Sequence, residues 1–156
     1  MTGPTSPHAA AGRSRAEADN VETVLRLFDQ GWGASPGWEE EWRAALVPDV
    51  RTYFHAFPPT EGLEPAIAFN RDLFTGFPDL KVEVQEVTAE GDTVVVRGRL
   101  TGRHTGSFLG VPASGAPVDV PDVTLFRLRD GKVVESRYFT DLLSVMTTIG
   151  AVSAPG

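Results

Sequence analysis

Asp141, His55 and His104 are the side chains of this 156-residue chain whose types and settings best suit proton transfer. Asp141 is flanked by Phe139 and Thr140 on one side and by Leu142 and Leu143 on the other. A carboxyl that points inward among such neighbours loses hydration, and its pKa rises toward the range useful to a general acid or base. The same residue opens "LLSVMTTIG", and aspartate is a favoured helix N-cap, so a capping role stands beside the chemical one. The two roles are compatible. His104 sits in a glycine-rich stretch, "TGRHTGSFLGVPASG", where an imidazole titrates near neutrality or simply bonds its own loop or faces water. His55 follows Tyr53 by two residues in "VRTYFHAF", so on a strand both would share one face, as a paired donor and acid/base or as packing residues with polar tips.

Arg127 and Arg137 lie on either side of the "RDGK" turn, where a hairpin would bring them together and toward Asp141. Glu135 shares parity with Arg137, so charge neutralisation is the first reading of these arginines and ligand binding the second. Asp122 reads first as a solvated surface acid. Asp79, in "FPDL", reads as a cap for the turn into the next strand. Trp32, Trp38, Trp42, Phe69 and Phe74 read as core or pocket lining, with Phe139 beside Asp141 as a further wall residue.

Other chemistries find no support. The chain has no cysteine, which excludes disulfides, thiolate nucleophiles and cysteine-ligated zinc. Its three histidines stand at positions 8, 55 and 104 without metal-ligand spacing, so no metal is expected. No phosphate-binding loop, nucleophile elbow or dinucleotide fingerprint is present, so no cofactor is expected either. The formal charge of −7 disfavours nucleic acid and anionic lipid as partners. No apolar run reaches the ~20 residues of a membrane span. The N-terminus lacks the apolar core of a secretory signal, and a cytoplasmic location is the default.

The elements that must position these residues follow from hydrophobic period. Val21, Val24, Leu25, Phe28 and Trp32 make one helical stripe, with Gly33 as its stop. A short second helix over "SPGWEEEWRAAL" takes Ser35 as N-cap and Pro36 at its first position. The strand "VRTYFHAF" and the turn "PPTEG" precede a third helix, with Ala66, Phe69, Leu73 and Phe74 on one side and Gly76 at its end. After Asp79 the period switches to two, and four strands follow as an antiparallel meander, with turns at "EGD" and "RDGK". "LLSVMTTIG" closes the chain as a short helix.

This order predicts an α+β domain in which a curved antiparallel sheet forms a cone, with the three N-terminal helices packed across its concave face. The inside of the cone is the natural place for a small hydrophobic ligand. The domain spans residues 16–150, with 1–15 expected as a disordered N-terminal tail and 151–156 as a C-terminal one.

In their order and spacing, "FPDL", "HTGSFLGVPASG" and "DGKVVESRYFTD" resemble the SnoaL-like polyketide cyclase family of the nuclear transport factor 2-like superfamily. The resemblance covers about residues 20–150. It implies a cofactor-free enzyme that closes rings by intramolecular aldol chemistry on a polyketide or similar carbonyl metabolite. It makes Asp141 the pocket acid/base, with His55 or His104 assisting and Tyr53 or Arg137 steadying an oxyanion. Relatives also hydroxylate, open epoxides or form spiroketals, and some are non-catalytic, so these are the alternatives. Homodimers through the outer sheet face are common in the superfamily. One departure stands out. The family often places "E-H-W" in the last strand, whereas this chain has Glu135, Ser136 and Arg137, and an arginine in the pocket would favour an anionic or enolate-like ligand.

Overall fold

The computed structural model describes residues 12–153. The remaining parts of the two expected tails, 1–11 and 154–156, lie outside the described residues.

Helix α1 spans Arg15–Gln30 and starts at a capping box: the Ser14 hydroxyl accepts from the Glu17 amide while the Glu17 carboxylate accepts from the Ser14 amide. Its buried face is Asn20, Val21, Val24, Leu27 and Phe28. Leu25, expected inside, is exposed, and Leu27 takes its place. Helix α2, Trp38–Ala45, begins after Gly37 rather than at Ser35, and no side chain caps it. Instead Ser35 and Trp38 form a turn through the Ser35 carbonyl. Strand β1 covers Leu46–Tyr53, and β2 is a two-residue strand, Thr60–Glu61, where a plain turn was expected. Helix α3 covers Leu63–Gly76.

The meander follows as β3 Lys81–Glu90, β4 Thr93–Arg103, β5 Pro117–Arg129 and β6 Lys132–Thr140, and helix α4, Leu142–Thr148, ends it. The six strands form one sheet in the order β2-β1-β6-β5-β4-β3. The sheet is mixed rather than wholly antiparallel, because β1 runs parallel to β6. It curves where its ladders slip, between Val84 and Glu86 of β3 and between Arg127 and Leu128 of β5. Gly98 of β4 sits at the first slip, where any Cβ would overlap the Glu83 carbonyl.

Strict alternation divides the strands into two faces. On β5, Val118, Val120, Asp122, Thr124, Phe126 and Leu128 are buried and the residues between them are not. This row packs under α1 at one end, with Phe126 edge-on to Phe28 of α1 at 5.8 Å between ring centroids, and meets α4 at the other. Fully burying such a ring contributes about 1.5–3 kcal/mol.

Candidate active site

Between the inward face of the sheet and the helices lies a cavity of about 480 Å³. Its lining is mostly aromatic and aliphatic. Trp32 and Trp42 come from the α1–α2 region, Phe69, Leu73 and Phe74 from α3, and Phe77, Leu80 and Leu100 from beyond it. Phe54 is stacked between Phe69 and Tyr138, with ring centroids 4.2 and 4.8 Å away. Phe108, from the loop after β4, and Val118 of β5 complete the wall. Trp32, Phe69, Phe74 and Phe139, expected as lining, all border the cavity.

The polar exceptions define its chemistry. Asp122 lines the cavity from β5 and is only 3% exposed. This reverses the reading of Asp122 as a solvated surface acid, because its parity with Val120 and Phe126 turns it inward. Thr140 Oγ1 of β6 donates to Asp122 Oδ1, and Thr124 Oγ1 donates to Oδ2 at 3.2 Å. Burial pushes the Asp122 carboxyl above the usual carboxylate range, and the two hydroxyls oppose that rise. Burial, and then the Asp122 charge, push the Tyr138 phenol up as well. Asn70 of α3 is buried on the wall, one amide hydrogen given to the Ala66 carbonyl at 2.8 Å. Among the described residues, no lysine or arginine lines the cavity.

Asp141 also borders the cavity, but at its exposed rim. It is the N-cap of α4: Ser144 donates its amide to Oδ1 at 3.2 Å and its hydroxyl to Oδ2 at 2.6 Å. Those bonds hold its carboxyl below the usual range, opposite to the rise expected of an inward-pointing acid. The capping role is therefore the one its geometry expresses. His55 is at the same rim, exposed, with its ring 4.4 Å from that of Phe139. Strand β1 ends at Tyr53, so Tyr53 and His55 do not share a strand face. Tyr53 lies on the outer face of the sheet, under the Arg137 guanidinium at 4.0 Å.

Both arginines are on that outer face. Glu135 bridges Arg137 at 3.2 Å and Arg127 at 3.4 Å, so neutralisation, not ligand binding, is what their positions serve. An anionic ligand held by Arg137 inside the cone is accordingly ruled out. His104 is wholly buried yet does not line the cavity. It packs behind Phe77, 5.1 Å between centroids, and its Nδ1 accepts from the Ser114 amide at 3.2 Å and lies 2.9 Å from the Ser114 hydroxyl. The imidazole thus ties the two ends of the 104–116 loop together. Asp79 works similarly, accepting the Arg103 amide at 2.9 Å instead of capping its own turn. Asp122, Tyr138, Thr140 and Asn70 are the cavity residues that residue type and setting alone did not single out. Period-two alternation through "VDVPDVTLF" was the signal for the first of them.

An apolar cone with one buried carboxyl on its wall is a setting for proton transfer at carbon, and sequence comparison gives it a family. The profile of the SnoaL-like polyketide cyclases matches residues 22–149. The chain belongs to this family. Among its solved SnoaL-like relatives, a protein of Jannaschia sp. CCS1 named as a SnoaL-like polyketide cyclase is 60% identical, with a TM-score of 0.87 over 94% of this chain and all of that one. IdmH of Streptomyces antibioticus, named as a polyketide cyclase, is 25% identical with a TM-score of 0.71, covering 84% of this chain and 98% of its own. The aklanonic acid methyl ester cyclase of Streptomyces peucetius is 31% identical over 72 residues, 45% of this chain and 50% of that enzyme. This SnoaL-like chain spans about half the length of the curated relatives it matches. Among the described residues, no helix is long and apolar enough to cross a membrane, and no group of three His, Asp or Glu could hold a metal ion.

Proposed function

We propose that this protein is a cofactor-free cyclase that closes a ring in a polyketide, or a similar small carbonyl metabolite, by intramolecular aldol chemistry, with Asp122 as its general acid/base. The observation that carries this reading is the one buried carboxyl, among the described residues, on a mostly apolar wall, held by two hydroxyls. Ionised Asp122 takes a proton from the carbon next to a carbonyl, and the resulting enolate carbon attacks a second carbonyl of the same molecule. A carbon–carbon bond forms, and the new alkoxide takes the proton back from Asp122. The proton count closes without an oxidant or reductant. The free amide hydrogen of Asn70 and the Tyr138 hydroxyl are the wall donors of the right type for the enolate oxygen, and a dry setting strengthens both. Ketosteroid isomerase is a chemical parallel, with an aspartate base working beside hydrogen-bond donors in an apolar site.

The relatives named for aklanonic acid methyl ester make that compound the first substrate to try. Asp122→Asn should lower turnover by about 10²–10⁴-fold with unchanged circular dichroism. A variant that keeps the wild-type rate removes Asp122 from the chemistry. Running the reaction under argon separates ring closure, which continues, from oxygenation, which stops. We further propose a cytoplasmic homodimer paired through the outer sheet face, which light scattering tests: a monomer mass at working concentration rejects it.

A further inference from the structure

The two threonines that touch Asp122 come from different strands. Thr124 is two residues along β5 on the same inward row, and Thr140 is the ladder partner of Asp122 at the end of β6. Thr124 is wholly buried, a place where valine would give the same shape and strand preference without a hydroxyl to satisfy. At both positions the hydroxyl has the Asp122 carboxyl as its partner, one on each oxygen. A neutral carboxylic acid must donate from one of its oxygens, whereas a carboxylate accepts at both. With both hydroxyls donating, one on each oxygen, the arrangement satisfies the carboxylate in full, whereas the neutral acid must turn one of these bonds around or spend its proton elsewhere.

We infer that Thr124 and Thr140 are positioning residues that clamp the Asp122 carboxylate and keep it ionised, so that it enters the reaction as a base. The inference rests on the reading of Asp122 as the acid/base. Among the described residues, no fixed cation does this work. The other titratable groups on the same cavity are Tyr138 of β6, Asp141 at the cap of α4, and His55 at the rim. Helix α3 brings Asn70, α1 and α2 bring Trp32 and Trp42, and β4 has Gly98 opposite. A carboxylate among these neighbours depends on its own hydroxyl donors. Thr140 also precedes the capped start of α4, so the clamp is anchored where the last strand hands over to the last helix.

The test uses the full chain labelled with ¹³C at aspartate carboxyls, with Asp122→Asn identifying the resonance. Thr124→Val and Thr140→Val should each move the Asp122 titration to higher pH, the double variant should move it further, and Thr140→Ser should restore it. With 5-nitrobenzisoxazole, a carbon acid opened by any suitably placed base, the acid limb of the pH–rate profile should shift the same way. The rate on that limb should fall about tenfold per lost hydroxyl, with the alkaline plateau largely kept. A folded double variant whose Asp122 titrates as in the wild type overturns the inference, even if Asp122→Asn is inactive. Shifted titrations together with a fully active Asp122→Asn would instead overturn the base reading and leave the clamp standing.

Discussion

Asp122 and Asp141 lie on the same cavity and are opposite in character. Asp122 is buried, raised by loss of hydration and met by two threonines. Asp141 is exposed, lowered by Ser144 and committed to the start of α4. The difference has a thermodynamic consequence. The folded-state carboxyl of Asp122 titrates above its unfolded value, so the folded state binds that proton more tightly. Its contribution to stability is most favourable below the unfolded carboxylate range, and it declines as pH rises through the window up to the raised folded value. Asp122→Asn removes the titration. Chemical denaturation should show the variant more stable than wild type by roughly 0.5–2 kcal/mol at neutral pH, as is common when a functional site is relieved. The gain should vanish below about pH 3, where the carboxyl is protonated in the folded and unfolded chain alike. A variant less stable at neutral pH would mean that the carboxylate is not under strain. Asp122 was legible in the sequence through one rule, since Val118, Val120, Asp122, Thr124 and Phe126 keep strict parity. A carboxyl in the middle of a strand looks like a surface residue only until its neighbours' faces are counted. His104 was not legible in this way, because a loop has no period, and the face its ring takes is set by Ser114, ten residues on.

At the scale of elements, local signals decided what could be read. The order of helices and strands, the hairpin at "RDGK" and the apolar stripes of α1 and α3 follow from periods of 3.6 and two. The Ser14–Glu17 capping box was there to be read as the start of α1. The parallel pairing of β1 with β6 and the two-residue β2 were not, because each depends on chain far away in sequence. The 104–116 loop carries a prediction of its own. Gly106 donates its amide to the Gly76 carbonyl at 3.1 Å, and a Cβ there would overlap the Thr75 carbonyl. Gly106→Ala should push the loop off the end of α3 and cost about 1–3 kcal/mol in thermal unfolding. Because Phe108 of the same loop lines the cavity, the Michaelis constant should rise more than kcat falls. An unchanged melting temperature would show that the loop yields freely. On the outer face the same reasoning gives a small number. Glu135→Gln loses two ion pairs at the surface and should cost no more than about 1 kcal/mol, with turnover unaffected, as stopped-flow rates would record.

The whole molecule is a curved sheet closed by helices, and its charge is divided by surface. The excess acid is outside, the arginines of the last two strands are outside, and the cavity sets aromatic walls around Asp122, with Asp141 at its rim. A neutral substrate therefore gains nothing from long-range attraction. Values of kcat/KM measured from about 50 to 500 mM salt should stay within about twofold, whereas a steep fall would point to a charged ligand steered by the surface. The cone itself was legible from the succession of elements, while its occupant was not, since one wall chemistry suits many carbonyl compounds. The central claim, that this cavity holds an ionised carboxylate base at Asp122, meets its most direct test in proton abstraction from 5-nitrobenzisoxazole by three proteins. Turnover well above buffer is expected for the wild type, most of that rate for Asp141→Asn, and a fall to the buffer rate for Asp122→Asn. A wild-type rate no faster than buffer, or an Asp122→Asn rate equal to wild type, would contradict it.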